Sequence, residues 1–287
     1  MPIVAADAGV IAALAGVPAT PEEAAADSAL ATSPPTDWLT AGPRGCMRRG
    51  PMRGMCNGPR RVARPSGPDA ERARTLGLGA TGVASRLLVH EPDPSWVAAA
   101  QTPGRAMPSD LLFPVAGGGL WRGYGATRRN RRAHNHQGVD IGSPAGTLYR
   151  AVNDGLVAYS DNGLRGYGNL VILVHPDGSA TFYAHSRAAY VFAGQLVRRG
   201  QVLGEVGDTG YARGEHLHFE WHASGVARNP LPHFAALPAG VTPTAAQLTE
   251  RVLPLDRSVF RRTRTRRRVH RGQHPAAPAR LRSRRAP

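Results

Sequence analysis

From Leu111 onward the chain runs as short apolar segments separated by Gly, Asp-Gly and Pro-Asp-Gly, a texture that predicts strands joined by tight turns. The strand candidates are 147–152, 156–159, 169–174, 180–185, 201–206 and 216–222, and Pro176-Asp177-Gly178 supplies hairpin-turn chemistry between two of them. The last candidate, His216-Leu217-His218-Phe219-Glu220-Trp221-His222, alternates strictly. On a strand, His216, His218, Glu220 and His222 then share one face and Leu217, Phe219 and Trp221 the other. A helix would set His216 and His218 about 200° apart around its axis. The strand reading therefore gives an apolar core face and a polar face toward a groove. The same alternation puts Thr181, Tyr183 and His185 on one side of 180–185.

Outside this stretch the pattern is weaker. Residues 1–66 are rich in Ala, Pro, Gly and Arg and hold no sustained apolar period, which reads as flexible sequence. A short helix is expected over 69–74, followed by an apolar patch at 84–89. Downstream, Thr242-Pro243 can open a helix reaching about residue 252, with Thr242 as its cap and Pro243 at its first position. The fold class expected is all-β. A compact antiparallel domain with a groove spans 108–232, after a mostly disordered extension over 1–107. A linker with a short helix (233–250) and a disordered Arg-rich tail (251–287) follow it.

Composition sharpens this division. With 34 Gly, 25 Pro and 6% aromatic residues in 287, the chain has core material for one domain rather than for a compact whole. The net charge of +16 suggests a nucleic-acid binder until it is mapped along the chain: residues 251–287 carry thirteen Arg and one Asp, a net +12, which leaves +4 for the rest. All 36 basic residues are Arg, which looks like codon bias and weakens the reading of any single arginine. Cys46 and Cys56 are the only cysteines; they lack a His at zinc-finger spacing and are compatible with a disulfide in an oxidising compartment. No run approaches the roughly 20 apolar residues of a membrane span. The apolar stretch 3–17 is interrupted by Asp7 and preceded by no positive side chain, unlike an ordinary secretory signal.

His136 and Asp140 stand four residues apart, a spacing at which side chains share a face on a helix or a strand. With one histidine of the 216/218 pair they offer two nitrogens and a carboxylate oxygen and leave a fourth position for water, the composition of a catalytic zinc site. A structural site would normally use thiolates, and Cys46 and Cys56 lie outside the domain. At ~3.3 Å per residue His222 lies about 13 Å from His218, too far to share a metal with it, and is read as a surface histidine. His185 gains interest because one histidine of the pair is left unassigned, and two non-ligand imidazoles would then flank the metal.

These motifs, in this order, resemble the M23 family of zinc metallopeptidases, the lysostaphin-type or LytM-type cell-wall endopeptidases. The resemblance covers about 113–230 and rests on Phe113-Pro114-Val115, His136 to Asp140, Pro144-Ala145-Gly146-Thr147, Asp154-Gly155, Gly166-Tyr167-Gly168-Asn169, Tyr183-Ala184-His185, Gly207-Asp208-Thr209-Gly210, His216 to Glu220 and Asn229-Pro230. It implies one zinc per chain bound by His136, Asp140 and His218, with His185 and His216 as catalytic histidines. It further implies a peptidoglycan peptide substrate and a place in the cell envelope, periplasmic or secreted. His134 has no Asp four residues on and reads as a loop histidine. Members that cut glycine bridges often carry a Tyr shortly before the first zinc histidine; here that stretch is Arg128-Arg129-Asn130-Arg131-Arg132, more similar to members that cut directly cross-linked stem peptides.

No helical His-Glu-x-x-His motif is present to supply a glutamate base, which leaves His185 and His216 for proton transfer and charge stabilisation, in an order left open. Gly166, Gly168, Gly207 and Gly210 suit tight turns around a narrow groove. One rival is a catalytically silent relative that binds peptidoglycan or activates another cell-wall hydrolase; such members typically lose zinc ligands, and here all are intact. The other rival is a nucleic-acid binder. Polycations bind phosphate without sequence information, but no aromatic residue interleaves with Arg261 to Arg268. The tail reads as a solvated segment able to touch anionic polymers nonspecifically.

Overall fold

The computed structural model describes residues 34–42, 57–128 and 131–253, with backbone alone at 128 and 131–134. The stretch 3–17, Cys46, Cys56, Arg129, Asn130 and the tail beyond 253 lie outside the described residues.

In chain order the elements are β1 (Trp38–Ala41), β2 (Arg60–Ala63), α1 (Gly67–Thr75), α2 (Thr81–Leu87), α3 (Pro94–Ala100), β3 (Gly119–Arg122), β4 (Thr127–Arg128), β5 (Arg131–Asn135), β6 (Val139–Gly142) and β7 (Leu148–Arg150). Then come β8 (Gly155–Asp161), β9 (Asn169–Val174), β10 (Ala180–Ser186), β11 (Ala188–Ala189), β12 (Leu196–Val197), β13 (Val202–Glu205), β14 (His216–Ala223), β15 (Val226–Arg228) and α4 (Ala245–Leu248). The central sheet is antiparallel in the order β12-β8-β9-β10-β14-β6-β3, with β15 added to β14. A five-stranded sheet, β1-β2-β11-β13-β7, carries one parallel pair, β2 with β11.

All six expected strands are present, and β9 has the expected bounds. β6 was not among them: its alternation of Val139 and Ile141 with Asp140 and Gly142 runs for only four residues.

The central sheet is covered on both faces. On one, Val139, Ile141, Val157, Val171, Leu173, Tyr183, Leu217 and Phe219 form a cluster with Tyr149 and Leu203 of the second sheet. On the other, Leu156, Ala158, Leu170, Ile172 and Phe182 meet Val83, Ala84, Leu87, Leu88 and Trp96. Within the N-terminal extension read as mostly disordered, residues 67–100 hold three helices, α1 to α3. The expected helix at 69–74 is there as α1, and the apolar patch at 84–89 is the inner side of α2, which covers strands that would otherwise expose Leu and Ile. Short Ala-rich helices leave little periodic signal, and it is the sheet beneath that stabilises them.

The segment before β2 is also anchored. Asn57 is fully buried, its Nδ2 donating to the carbonyls of Asn162 (2.7 Å) and Leu164 (3.0 Å) while its Oδ1 accepts from Gly166 N (2.9 Å).

At the other end the cap of α4 is Thr244 rather than Thr242, because Thr244 and Gln247 bond each other's backbone N–H reciprocally, as a capping box requires. The linker 233–250 is docked: Asn229 Nδ2 donates to Gln247 O (2.7 Å), and Leu237 and Leu253 pack against the inter-sheet cluster. Among the described residues no helix is long and apolar enough to cross a membrane.

If the helices belong to the core, Leu87→Ala, at a fully buried position between α2 and the sheet, should lower the unfolding free energy by about 2–5 kcal/mol. A denaturant titration that leaves the midpoint unchanged would mean that the helices do not share the sheet's cooperative unit.

Candidate metal centre

Strands β6 and β14 pair antiparallel with Asp140 directly opposite His218. Alternation on β14 turns Leu217 and Phe219 into the inter-sheet cluster and leaves His216, His218, Glu220 and His222 on the opposite face. His136 precedes β6 and completes a cluster in which His136 Nε2, Asp140 Oδ1 and His218 Nδ1 lie 2.9–3.0 Å from one another. All three residues are nearly buried. His134 lies on β5, its side chain outside the described residues.

Hydrogen bonds on the outer side settle which nitrogen of each ring points inward. His136 Nδ1 donates to the Gly123 carbonyl (2.9 Å), and His218 Nε2 donates to Glu220 Oε1 (2.8 Å). A neutral imidazole bonded this way has its lone pair on the other nitrogen. Two nitrogen lone pairs and a carboxylate oxygen thus meet at about 3 Å, which is repulsive unless a positive charge sits among them. A tetrahedral ion with ligands at about 2.0–2.1 Å needs ligating atoms roughly 3.3 Å apart, so the set fits a small divalent metal with little movement.

The titration behaviour agrees. Burial alone would lower the pKa of His218, but hydrogen bonds to Asp140 and Glu220 outweigh it and raise it to about 9. Asp140 is held far below the carboxylate range: burial opposes this, and its contacts with His136 and His218 dominate. Burial, against the pull of Asp140, lowers His136. In the metal-free form the cluster therefore keeps a proton on His218, the charge a metal would replace.

His185 and His216 stand beside this cluster. Their rings are 4.8 Å apart, and His185 lies 5.7 Å from the ring of His218. His185 Nδ1 donates to Thr209 O (2.7 Å) and His216 Nδ1 to Gly214 O (2.8 Å), which leaves both Nε2 lone pairs free of those bonds; His216 Nε2 is 3.6 Å from Asp140 Oδ1. Burial, with His216 and His218 nearby, pushes His185 down to about 3, and burial also lowers His216.

The expectation that His185 shares a side with Tyr183 is corrected. Tyr183 packs into the inter-sheet cluster, while a bulge between Tyr183 and Ser186, with His185 at φ +64°, turns His185 to the opposite face. Such left-handed backbone is uncommon outside glycine and costs energy, which the Tyr167 carbonyl, accepting from His185 N at 2.8 Å, helps to offset.

His222 is not the surface histidine expected from its distance. It is buried, 3% exposed, packs at a tilt against Phe182 with ring centroids 4.4 Å apart, and donates from Nε2 to Glu220 Oε2 at 2.8 Å. The distance argument concerns metal ligation and did not bear on burial. Tyr167, quoted in the sequence only as part of a glycine-flanked motif, donates its hydroxyl to Glu220 Oε1 (2.9 Å). Arg122 Nη1 stands 4.0 Å from Asp140 Oδ2, and exposed Trp121 lies beside His216, with ring centroids 6.1 Å apart. The signal for these two was the unread strand β3.

Comparison with known proteins matches residues 134–230 to the model described as Peptidase family M23. Among curated proteins the chain is 39% identical over 123 residues to the lipoprotein NlpD/LppB homolog of Pseudomonas aeruginosa, covering 42% of this chain and 41% of that one. It is 42% identical over 96 residues to the DD-carboxypeptidase/endopeptidase Mpg of Neisseria meningitidis, 33% of this chain and 22% of that one. It is 41% identical over 96 residues to the murein hydrolase activator NlpD of Escherichia coli, 33% of this chain and 25% of that one. The chain thus spans less than half the length of each of these relatives.

Because a ligand must be deprotonated to bind and His218 holds its proton up to about pH 9, uptake of one zinc at pH 7.5 should release about one proton. The sign follows: affinity rises with pH below about 9, by roughly tenfold per unit. Calorimetry in buffers of different ionisation enthalpy measures the release. Binding without proton release would contradict the assignment of His218.

Proposed function

We propose that the chain, whose residues 134–230 match peptidase family M23, is a zinc-dependent endopeptidase hydrolysing peptide bonds in the stem peptides or cross-links of peptidoglycan. The observation that carries this is the convergence of His136, Asp140 and His218, with His185 and His216 beside them. Two imidazoles and one carboxylate without a thiolate make a three-ligand set of the catalytic kind, for one zinc per chain. The relatives named as an endopeptidase and as a murein hydrolase activator support a cell-wall peptide as substrate and the cell envelope as the place of action.

When bound, zinc supplies Lewis acidity that lowers the pKa of water from about 15.7 towards 7 and polarises a carbonyl. The proton chemistry falls to His185 and His216. Thr209 O and Gly214 O hold their Nδ1–H groups, which fixes Nε2 as the basic atom of each ring. Burial keeps both rings neutral at pH 7. One can take a proton from the attacking water and pass it to the leaving amine, while the other stabilises the charge that grows on the carbonyl oxygen. Glu220 is not the base, since its buried carboxylate already accepts from His218, His222 and Tyr167.

A second reading, a catalytically silent domain that binds peptidoglycan or activates another wall hydrolase, is favoured by the 41% identity to the Escherichia coli activator. Binding alone has no use for His185 held in left-handed backbone next to the ligand set.

Digestion of purified cross-linked peptidoglycan fragments by the zinc-loaded chain, read by mass spectrometry, should release peptides with new amino and carboxyl ends. Intact fragments at full zinc loading would leave the activator reading. His185→Ala and His216→Ala should each keep zinc and lose ~10²–10⁴-fold in rate, whereas His136→Ala and Asp140→Ala should lose the zinc. If His216→Ala is metal-free and His218→Ala is not, the roles of that pair are reversed.

A further inference from the structure

Glu220 lies two residues beyond His218 on β14 and is 2% exposed. Its Oε1 is 2.8 Å from His218 Nε2 and 2.9 Å from the Tyr167 hydroxyl, and its Oε2 is 2.8 Å from His222 Nε2. An ionised carboxylate only accepts, so all three partners donate to it. Burying a carboxylate is costly unless its oxygens are satisfied, and here both are. The partners are themselves fixed. His222 packs at a tilt against Phe182, which stands opposite Glu220 in the β10–β14 register. Tyr167 lies beside Gly166, whose N–H is held by Asn57.

We propose that Glu220 is a positioning residue for the metal: clamped by His222 and Tyr167, it accepts from Nε2 of His218 and so presents the Nδ1 lone pair of that ring to the position shared with His136 and Asp140. An imidazole has two nitrogens, and without a fixed acceptor the other tautomer would turn an N–H toward the ion. The carboxylate removes that alternative, and its charge raises the basicity of the ligating nitrogen. His222 and Tyr167 act one step further out, by preventing rotation of the carboxylate away from His218.

The proposal rests on the metal reading above, and its test separates the two. Zinc affinity of the full chain, measured by competition with a chelator, should fall 10–100-fold in Glu220→Gln. An unchanged affinity in a folded Glu220→Gln chain would overturn the proposal while leaving the metal site in place. A wild-type chain that takes up no zinc would overturn both. A second measurement does not depend on the variant folding: nitrogen-15 histidine spectra of the zinc-loaded wild-type chain should show His218 protonated at Nε2 and metal-bound at Nδ1. Metal on Nε2 would overturn the proposal.

Discussion

The pairing of Asp140 with His218 across β6 and β14 is the contact on which the site depends. Two backbones hold a carboxylate and an imidazole on one sheet face in a fixed register, so their convergence needs no loop to order around an arriving ion. A slip of one residue would turn Asp140 toward the inter-sheet core and swing Leu217 or Phe219 to the metal side. That slip is opposed by Val139, Ile141, Leu217 and Phe219, all fully buried on the inner face. Apolar burial on one side of the sheet thereby sets ligand geometry on the other.

The next layer consists of acceptors that choose a nitrogen for every histidine: the carbonyls of Gly123, Thr209 and Gly214 for His136, His185 and His216, and a carboxylate for His218. Holding these acceptors takes residues that precede the family segment 134–230. Gly123 lies before it, and Asn57 ties the loop that carries Tyr167 to the strand before α1. The loops bearing Thr209 and Tyr167 approach so closely that a side-chain carbon on Gly210 would come within 2.5 Å of Gly166 O and Gly168 N, which explains the glycine there, at φ +78°. The segment that carries the candidate metal site is therefore smaller than the unit that shapes it.

What the sequence made legible follows from where alternation survives. The polar face of 216–222 was readable because one side of β14 is hydrophobic core and the other is not. The metal set needed that face together with His136 and Asp140. His185 was recognisable as a candidate because one histidine of the 216/218 pair was left unassigned, and through resemblance, but not through alternation, which puts it with Tyr183 until the bulge re-aims it. β6, α2 and α3 escaped notice because each is short: the strand has four residues, and the two helices gain their stability from the sheet they cover. His222 shows that distance from a metal does not report burial.

Whether His136, Asp140 and His218 hold one zinc, as proposed, is tested by X-ray absorption at the zinc edge on the loaded full chain. The first shell should be nitrogen and oxygen at about 2.0–2.2 Å, with imidazole scattering from two histidines and no sulfur. Scattering at about 2.3 Å from thiolate would contradict it, by moving the ion to Cys46 and Cys56.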